Sequence, residues 1–207
     1  MMRNIIAAAG AALLLSAVAA HAAPITTNPT LTASGDVTAV YIFSDAGDQS
    51  IMSELGPTPI SPIFCNFAQA GCLTGAGTTL DLGVQSGTLQ FGLNNTSTGT
   101  LFTSTTTASD GDYHVLITTN YADFNEGALS GAALTAVNNL IAAGETVTFV
   151  GWEDLVGGDY DYNDLIFAFG NTTTDNVPVP EPISISLFGA GLVGAAWANK
   201  RRKANKA

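Results

Sequence analysis

The residues best suited to chemistry crowd into one stretch, Gly151-Trp152-Glu153-Asp154-Leu155-Val156-Gly157-Gly158-Asp159-Tyr160-Asp161-Tyr162-Asn163-Asp164, which runs into Leu165-Ile166-Phe167-Ala168-Phe169. Glu153, Asp154, Asp159, Asp161, Asn163 and Asp164 offer oxygen donors, which select a hard cation. An irregular acidic loop suits Ca2+ better than Mg2+, which demands a near-regular octahedron. Asp159, Asp161 and Asn163 share the parity of Leu165, Phe167 and Phe169. An unbroken strand would therefore drive carboxylates onto the face that buries the aromatic rings, and unpaired buried carboxylates are costly. Either the chain loops or bulges between Gly157 and Asn163, or a cation neutralises the carboxylates.

The charge balance favours the cation. All 17 acidic residues lie between positions 23 and 182, whereas Arg3, Lys200, Arg201, Arg202, Lys203 and Lys206 account for all six Lys and Arg. No basic side chain stands in the middle of the chain to pair with the motif, so Ca2+ is the expected cofactor and the six named residues its candidate ligands. The alternative is an acidic turn whose Asp and Asn side chains bond the backbone. Asp45, Asp48, Asp110, Asp112, Asp123 and Glu126 could complete a site from other loops, although most of them read as separate solvated turns. The spacing of Asp159, Asp161 and Asn163 fits the first three ligands of an EF-hand loop. Asp164 stands where the turn glycine belongs and Gly170 where the bidentate glutamate belongs, so the loop is not an EF-hand. A polyanionic domain also repels nucleic acid, and no nucleic-acid partner is expected.

The elements that must position this motif read as short strands. Runs at Val37 to Phe43, Leu80 to Leu82, Thr88 to Leu93, Tyr113 to Thr119, Thr146 to Trp152 and Leu165 to Phe169 are separated by Gly, Asp, Asn and Thr. Helical spacing occurs once, where Leu134, Val137, Leu140 and Ile141 form an apolar stripe with Ser130 as N-cap and Gly144 as stop. The Thr/Ser/Gly-rich segment Thr96 to Ser109 reads as an exposed edge or loop. The expectation is a mainly-β chain: a single β-sandwich or jelly-roll-like domain over 23–176 with one short helix. Cys65 and Cys72 are expected to form one disulfide that staples a surface loop.

The two ends read as export signals. Arg3, an apolar run from Ile5 to Ala20, and small residues at Ala20 and Ala22 predict a signal helix over 1–22, cleaved after Ala22 by signal peptidase. At the other end a Pro-rich linker over 177–182 carries Pro180-Glu181-Pro182, followed by an uncharged apolar segment and then Lys200-Arg201-Arg202-Lys203. The segment 183–199 is expected to be a transmembrane helix and 200–207 a basic cytoplasmic tail. The uncharged part reaches only ~24 Å against a hydrocarbon core of about 30 Å, so snorkelling cations or local thinning must cover the difference. Gly189-x-Gly191-x-x-Gly194 lacks the strand-turn-helix setting of a dinucleotide site and reads as small residues that ease helix packing in a membrane.

The order of Pro180-Glu181-Pro182, apolar helix and basic cluster resembles the PEP-CTERM sorting signal of Gram-negative bacteria. That resemblance implies recognition by an exosortase, transient anchoring in the cytoplasmic membrane, and a final place on the cell envelope or outside the cell. The stretch from Glu153-Asp154-Leu155 through Gly158-Asp159-Tyr160-Asp161-Tyr162-Asn163-Asp164 resembles the C-terminal signature of a domain of unassigned activity found in secreted bacterial proteins. Asp36-Val37-Thr38-Ala39-Val40-Tyr41 matches its opening strand.

Three functions compete. The leading expectation is a non-enzymatic, calcium-stabilised adhesion or structural domain at the cell surface or in an extracellular matrix, with exopolysaccharide as a candidate partner. A carbohydrate-binding module would use exposed Trp152, Tyr160 and Tyr162 for stacking. A glycoside hydrolase, ranked below both, would use a carboxylate pair such as Glu153 and Asp159. His114 has no neighbouring nucleophile motif and reads as a residue at a sheet surface, so no catalytic residue is assigned.

Overall fold

The computed structural model describes residues 24–175. The expected signal segment, Pro-rich linker, membrane helix and basic tail lie outside the described residues, and among the described residues no helix is long and apolar enough to cross a membrane.

The described chain is mainly β, with strands β1 (Leu31–Phe43), β2 (Ser50–Gly56), β3 (Ile60–Cys65), β4 (Thr79–Asn95), β5 (Thr100–Thr103), β6 (Val115–Thr118), β7 (Val147–Trp152), β8 (Leu165–Gly170) and β9 (Thr172–Thr174). The helix α1 spans Gly131–Ala142, preceded by a short 3-10 turn at Tyr121–Phe124. Hydrogen bonding joins the strands in the order β3-β2-β4-β1-β8-β7-β6, with β5 also on β4 and β9 also on β1. The pairings are antiparallel.

Where the sequence predicts a two-sheet sandwich or jelly roll, the strands form one open sheet. The physical reason is β4. The two short runs around Leu80 and Leu89 are parts of a single long strand, whose first half pairs with β1 and whose last residues pair with β2 and β5. Shared membership in both halves keeps the hydrogen-bond network continuous. The sheet nevertheless curls, because Phe64 on β3 stacks on Phe167 of β8 at 5.3 Å between ring centroids, although β2, β4 and β1 lie between them in the sheet order. Phe91 on β4 likewise stacks on Phe169 at 4.8 Å. These rings join Leu31, Val37, Met52, Leu93 and Trp152 in the larger core.

The opposite face of β1, β8, β7 and β6 is covered by α1 and the 3-10 turn. Val40, Ile42, Leu116, Phe149, Ile166 and Ala168 pack there with Phe124, Ala133, Ala136, Val137 and Leu140. Burial on both faces explains why β8 is a continuous apolar run rather than an alternating one. The helix sits rotated from its expected stripe: Val137 and Leu140 are buried, but Leu134 and Ile141 are exposed and the alanines at 133 and 136 face the sheet. Small side chains allow the helix to lie close to the strands. Ser130 occupies the N-cap without a side-chain capping bond, and Gly144 takes the left-handed conformation that ends the helix (φ 86°).

The strands β2 and β3 leave little signal in the sequence. Their segment, Ser50 to Cys65, is broken by Gly56, Pro57, Pro59 and Pro62, and both strands carry register shifts that blur their alternation. The Thr-rich segment contains the short strand β5, in keeping with its reading as an edge or loop. Cys65 and Cys72 form the expected disulfide at the end of β3.

Candidate functional site

The strands β7 and β8 pair in register from Trp152↔Leu165 to Val147↔Gly170, so the acidic motif is the connection that leaves β7 and returns to β8. The chain loops between them instead of bulging within a strand. Gly157, Tyr160 and Tyr162 have left-handed backbones (φ 69°, 57° and 57°), which break the strand parity. Two bulky residues in that region signal a conformation fixed by its surroundings. Tyr162 is buried, with its hydroxyl accepting from Ile25 N–H at 2.9 Å and donating to the Tyr113 carbonyl at 3.4 Å.

The loop closes at its base through the N–H of Asp154, which donates to Asp164 Oδ2 at 2.7 Å. Glu153 turns into the loop, where its carboxylate accepts the Leu155 N–H (3.3 Å) and the Tyr160 N–H (3.0 Å). Gly158 makes that position possible, since a side chain there would meet the Glu153 carboxylate. Two groups of carboxylates result. Oxygens of Glu153, Asp159 and Asp161 lie within 4.8 Å of one another, and so do oxygens of Glu153, Asp154 and Asp164. Glu153 belongs to both. The structure thus brings together five of the predicted ligands, while Asn163 stands beside them, donating to Asp161 Oδ2 at 2.8 Å and to Glu126.

Burial and mutual repulsion show in the proton affinities. Loss of solvent, reinforced by Asp164 and Asp159, pushes Glu153 up to about 8. Burial, with Asp154 and Asp161 adding to it, raises Asp164 to about 7. Asp154 and Asp161 are also raised, chiefly by desolvation. The donors are all oxygen, they converge, and no Lys or Arg lies in the described residues. This chemistry fits a hard divalent cation. The raised proton affinities of Glu153 and Asp164 mean that this cluster also retains protons toward neutral pH.

Other loops converge on the same end of the sheet. From the β1–β2 connection, Asp48 accepts from Asn95 Nδ2 at 2.9 Å; the same amide donates to the Asp154 carbonyl at 2.8 Å. Ser50 donates to Asp154 Oδ2 at 3.0 Å and is itself held by Asn66, next to the disulfide. From the β5–β6 connection, Asp110 and Asp112 accept from the Tyr160 hydroxyl. These two aspartates, Asp48 and Glu126 are therefore neighbours of the motif rather than separate solvated turns. Asp123 is not, being occupied by Thr118 and Asn120. Nothing in the sequence marks Ser50, Asn66 and Asn95 for this site, because the pairing of β2 with β4 brings Ser50 and Asn95 together and the pairing of β2 with β3 brings Asn66 to Ser50.

Two further expectations are corrected. Trp152 is fully buried and Tyr162 nearly so, because both side chains fill the cores beneath the loop; they offer no exposed stacking surface. His114 is buried rather than at a sheet surface. It stacks on Phe102 at 4.4 Å, with Nε2 2.9 Å from Asp110 Oδ2 and Nδ1 3.3 Å from the Glu153 carbonyl.

Comparison with known proteins bears on the other end of the chain. A family model described as the PEP-CTERM protein-sorting motif matches residues 178–202, which include Pro180, Glu181 and Pro182 and the basic residues Lys200, Arg201 and Arg202. The match lies outside the described domain. No curated protein and no solved structure matches the chain. The motif implies a protein exported to the cell envelope or beyond and processed by an exosortase.

Proposed function

We propose that the domain is a calcium-stabilised, non-enzymatic module for adhesion or matrix structure, held briefly in the cytoplasmic membrane before its sorting tail is processed. The observation that carries this reading is the pair of carboxylate groups sharing Glu153 in a domain without Lys or Arg. A bound Ca2+ would take carboxylate oxygens from Glu153, Asp159 and Asp161, with Asp154 and Asp164 on the buried side. It would offset the repulsion that otherwise raises their proton affinity.

The non-enzymatic part rests on how Glu153 is held. Its carboxylate is buried and already accepts two backbone N–H groups, an arrangement suited to fixing a loop and poorly open to a polymeric sugar. Burial of Trp152 and Tyr162 weighs against the carbohydrate-binding alternative in its aromatic form.

The test is a thermal melt of the purified protein with calcium, with magnesium and with chelator, beside the Asp159→Ala/Asp161→Ala double variant. At calcium about 100-fold above Kd the expected rise is roughly 5 to 10 °C, from a binding term of about 2.7 kcal/mol. Magnesium should give less, and the double variant should lose the response. Absence of a calcium-specific shift in the unaltered protein would sink the reading.

A further inference from the structure

The Gly157–Tyr160 half of the loop is tied to a residue that the metal reading leaves unused. Asp110 Oδ2 accepts from the Tyr160 hydroxyl at 3.0 Å, from the Gly157 N–H at 3.2 Å, and faces His114 Nε2 at 2.9 Å. Its other oxygen accepts the Asp112 N–H at 3.2 Å. The two loop contacts bracket Gly158 and Asp159. Behind Asp110, His114 is itself fixed by burial, by stacking on Phe102 and by the Glu153 carbonyl. Tyr160 is gripped from both ends, its N–H on Glu153 and its hydroxyl on Asp110 and Asp112.

We propose that Asp110 is a positioning residue for the candidate cation site, setting where Asp159 stands relative to Glu153 by clamping Gly157 and Tyr160. This inference rests on the calcium reading for its consequence but not for its geometry. An acidic loop left to itself spreads, because its carboxylates repel one another. Clamped before the ion arrives, the loop loses less freedom on binding, and affinity rises accordingly. Asp110 contributes through the hydrogen bonds it accepts and need not touch the ion. Removing such a support costs metal affinity by about tenfold or more.

Two measurements on the purified full chain separate the clamp from the site. Hydrogen exchange in chelator reads the clamp alone: in Asp110→Ala the Gly157 amide should exchange at least about tenfold faster, while amides of β8 stay unchanged. Calorimetric titration with calcium chloride, well below the melting temperature, reads the consequence. Asp110→Ala and Tyr160→Phe should each weaken calcium binding by about tenfold. The double variant should be little weaker than the worse single one, because both changes break the same link. A destabilised but correctly positioned site would keep its Kd, so a role confined to stability would not move this readout. Unchanged Gly157 exchange, or calcium affinities within about twofold of the unaltered protein in both single variants, overturns the assignment. Should Asp110→Ala fail to fold, Tyr160→Phe, which removes one hydroxyl, decides alone. No calcium uptake by the unaltered protein overturns the metal reading and Asp110's part in binding together, whereas uptake with unaffected variants overturns only Asp110.

Discussion

The N–H of Asp154 and the carboxylate of Asp164 meet at 2.7 Å, so the first acidic turn after β7 is fastened to the last residue before β8. Asp164, itself half-buried, also belongs to the carboxylate group with the buried Glu153 and Asp154. One side chain thus serves both as a backbone fastener and as a candidate ligand.

Those two duties separate by substitution. Asp164→Asn keeps an oxygen for the Asp154 N–H and removes the charge that Asp164 carries against Glu153 once both are ionised, so in chelator at about pH 9 it should melt above the unaltered protein. It should also show a diminished calcium response. Asp164→Ala loses the hydrogen bond as well and should be less stable than Asp164→Asn by about 1 kcal/mol. Denaturant titrations of both variants, with and without calcium, check the order. The metal reading fails if Asp164→Asn responds to calcium as strongly as the unaltered chain.

The pH dependence has a definite sign. Glu153 is raised from 4.5 to about 8 and Asp164 from 3.8 to about 7. In that window the folded protein holds protons that the unfolded chain has released. The stability associated with protonation is therefore complete below about pH 4 and is lost as pH rises through 7 to 8. In chelator the melting temperature should fall between about pH 5 and pH 9. If calcium binds as proposed, a saturating concentration would replace those protons and the fall should flatten or reverse. Melting curves across the range decide, and a chelated protein that gains stability toward alkaline pH would contradict the assignment of these raised groups.

Gly158 gives a selective probe. Its missing side chain leaves room for the Glu153 carboxylate, and its backbone is not in the left-handed region, so Gly158→Ala acts through contact alone. The variant should fold with its β7–β8 pairing intact but displace Glu153, losing most of the calcium-induced rise in melting temperature. Circular dichroism checks the fold and a calcium melt checks the site.

The curl of the sheet is testable away from the loop. Phe64 and Phe167 stack across the core from strands that are not sheet neighbours. Each Phe→Ala change should cost about 3 to 5 kcal/mol, and a double-mutant cycle should return a coupling of about 0.5 to 1.5 kcal/mol. Full additivity in denaturant titrations would mean the two rings do not meet in solution.

By itself the sequence determined the properties that depend on residue type and local order. Charge segregation, the sorting signal at Pro180-Glu181-Pro182, the Cys65–Cys72 bridge, the stop at Gly144 and the concentration of oxygen donors between Glu153 and Asp164 are local features. So is the conflict between the acidic residues and an unbroken strand, which the sequence left to be resolved by a loop, a bulge or a cation; the burial of β8 on both faces came from the structure. Tertiary structure decided which way side chains face and which distant loops meet. Trp152 and Tyr162 face the cores instead of solvent because strand and loop geometry, not residue type, sets their direction. Asp110 and His114 reach the Tyr160 segment only because β6 pairs with β7. Ser50 and Asn95 reach Asp154 only because β2 pairs with the end of β4. Such contacts join residues far apart in the chain, where no local spacing records them; they are fixed by strand register and by the closure of the core.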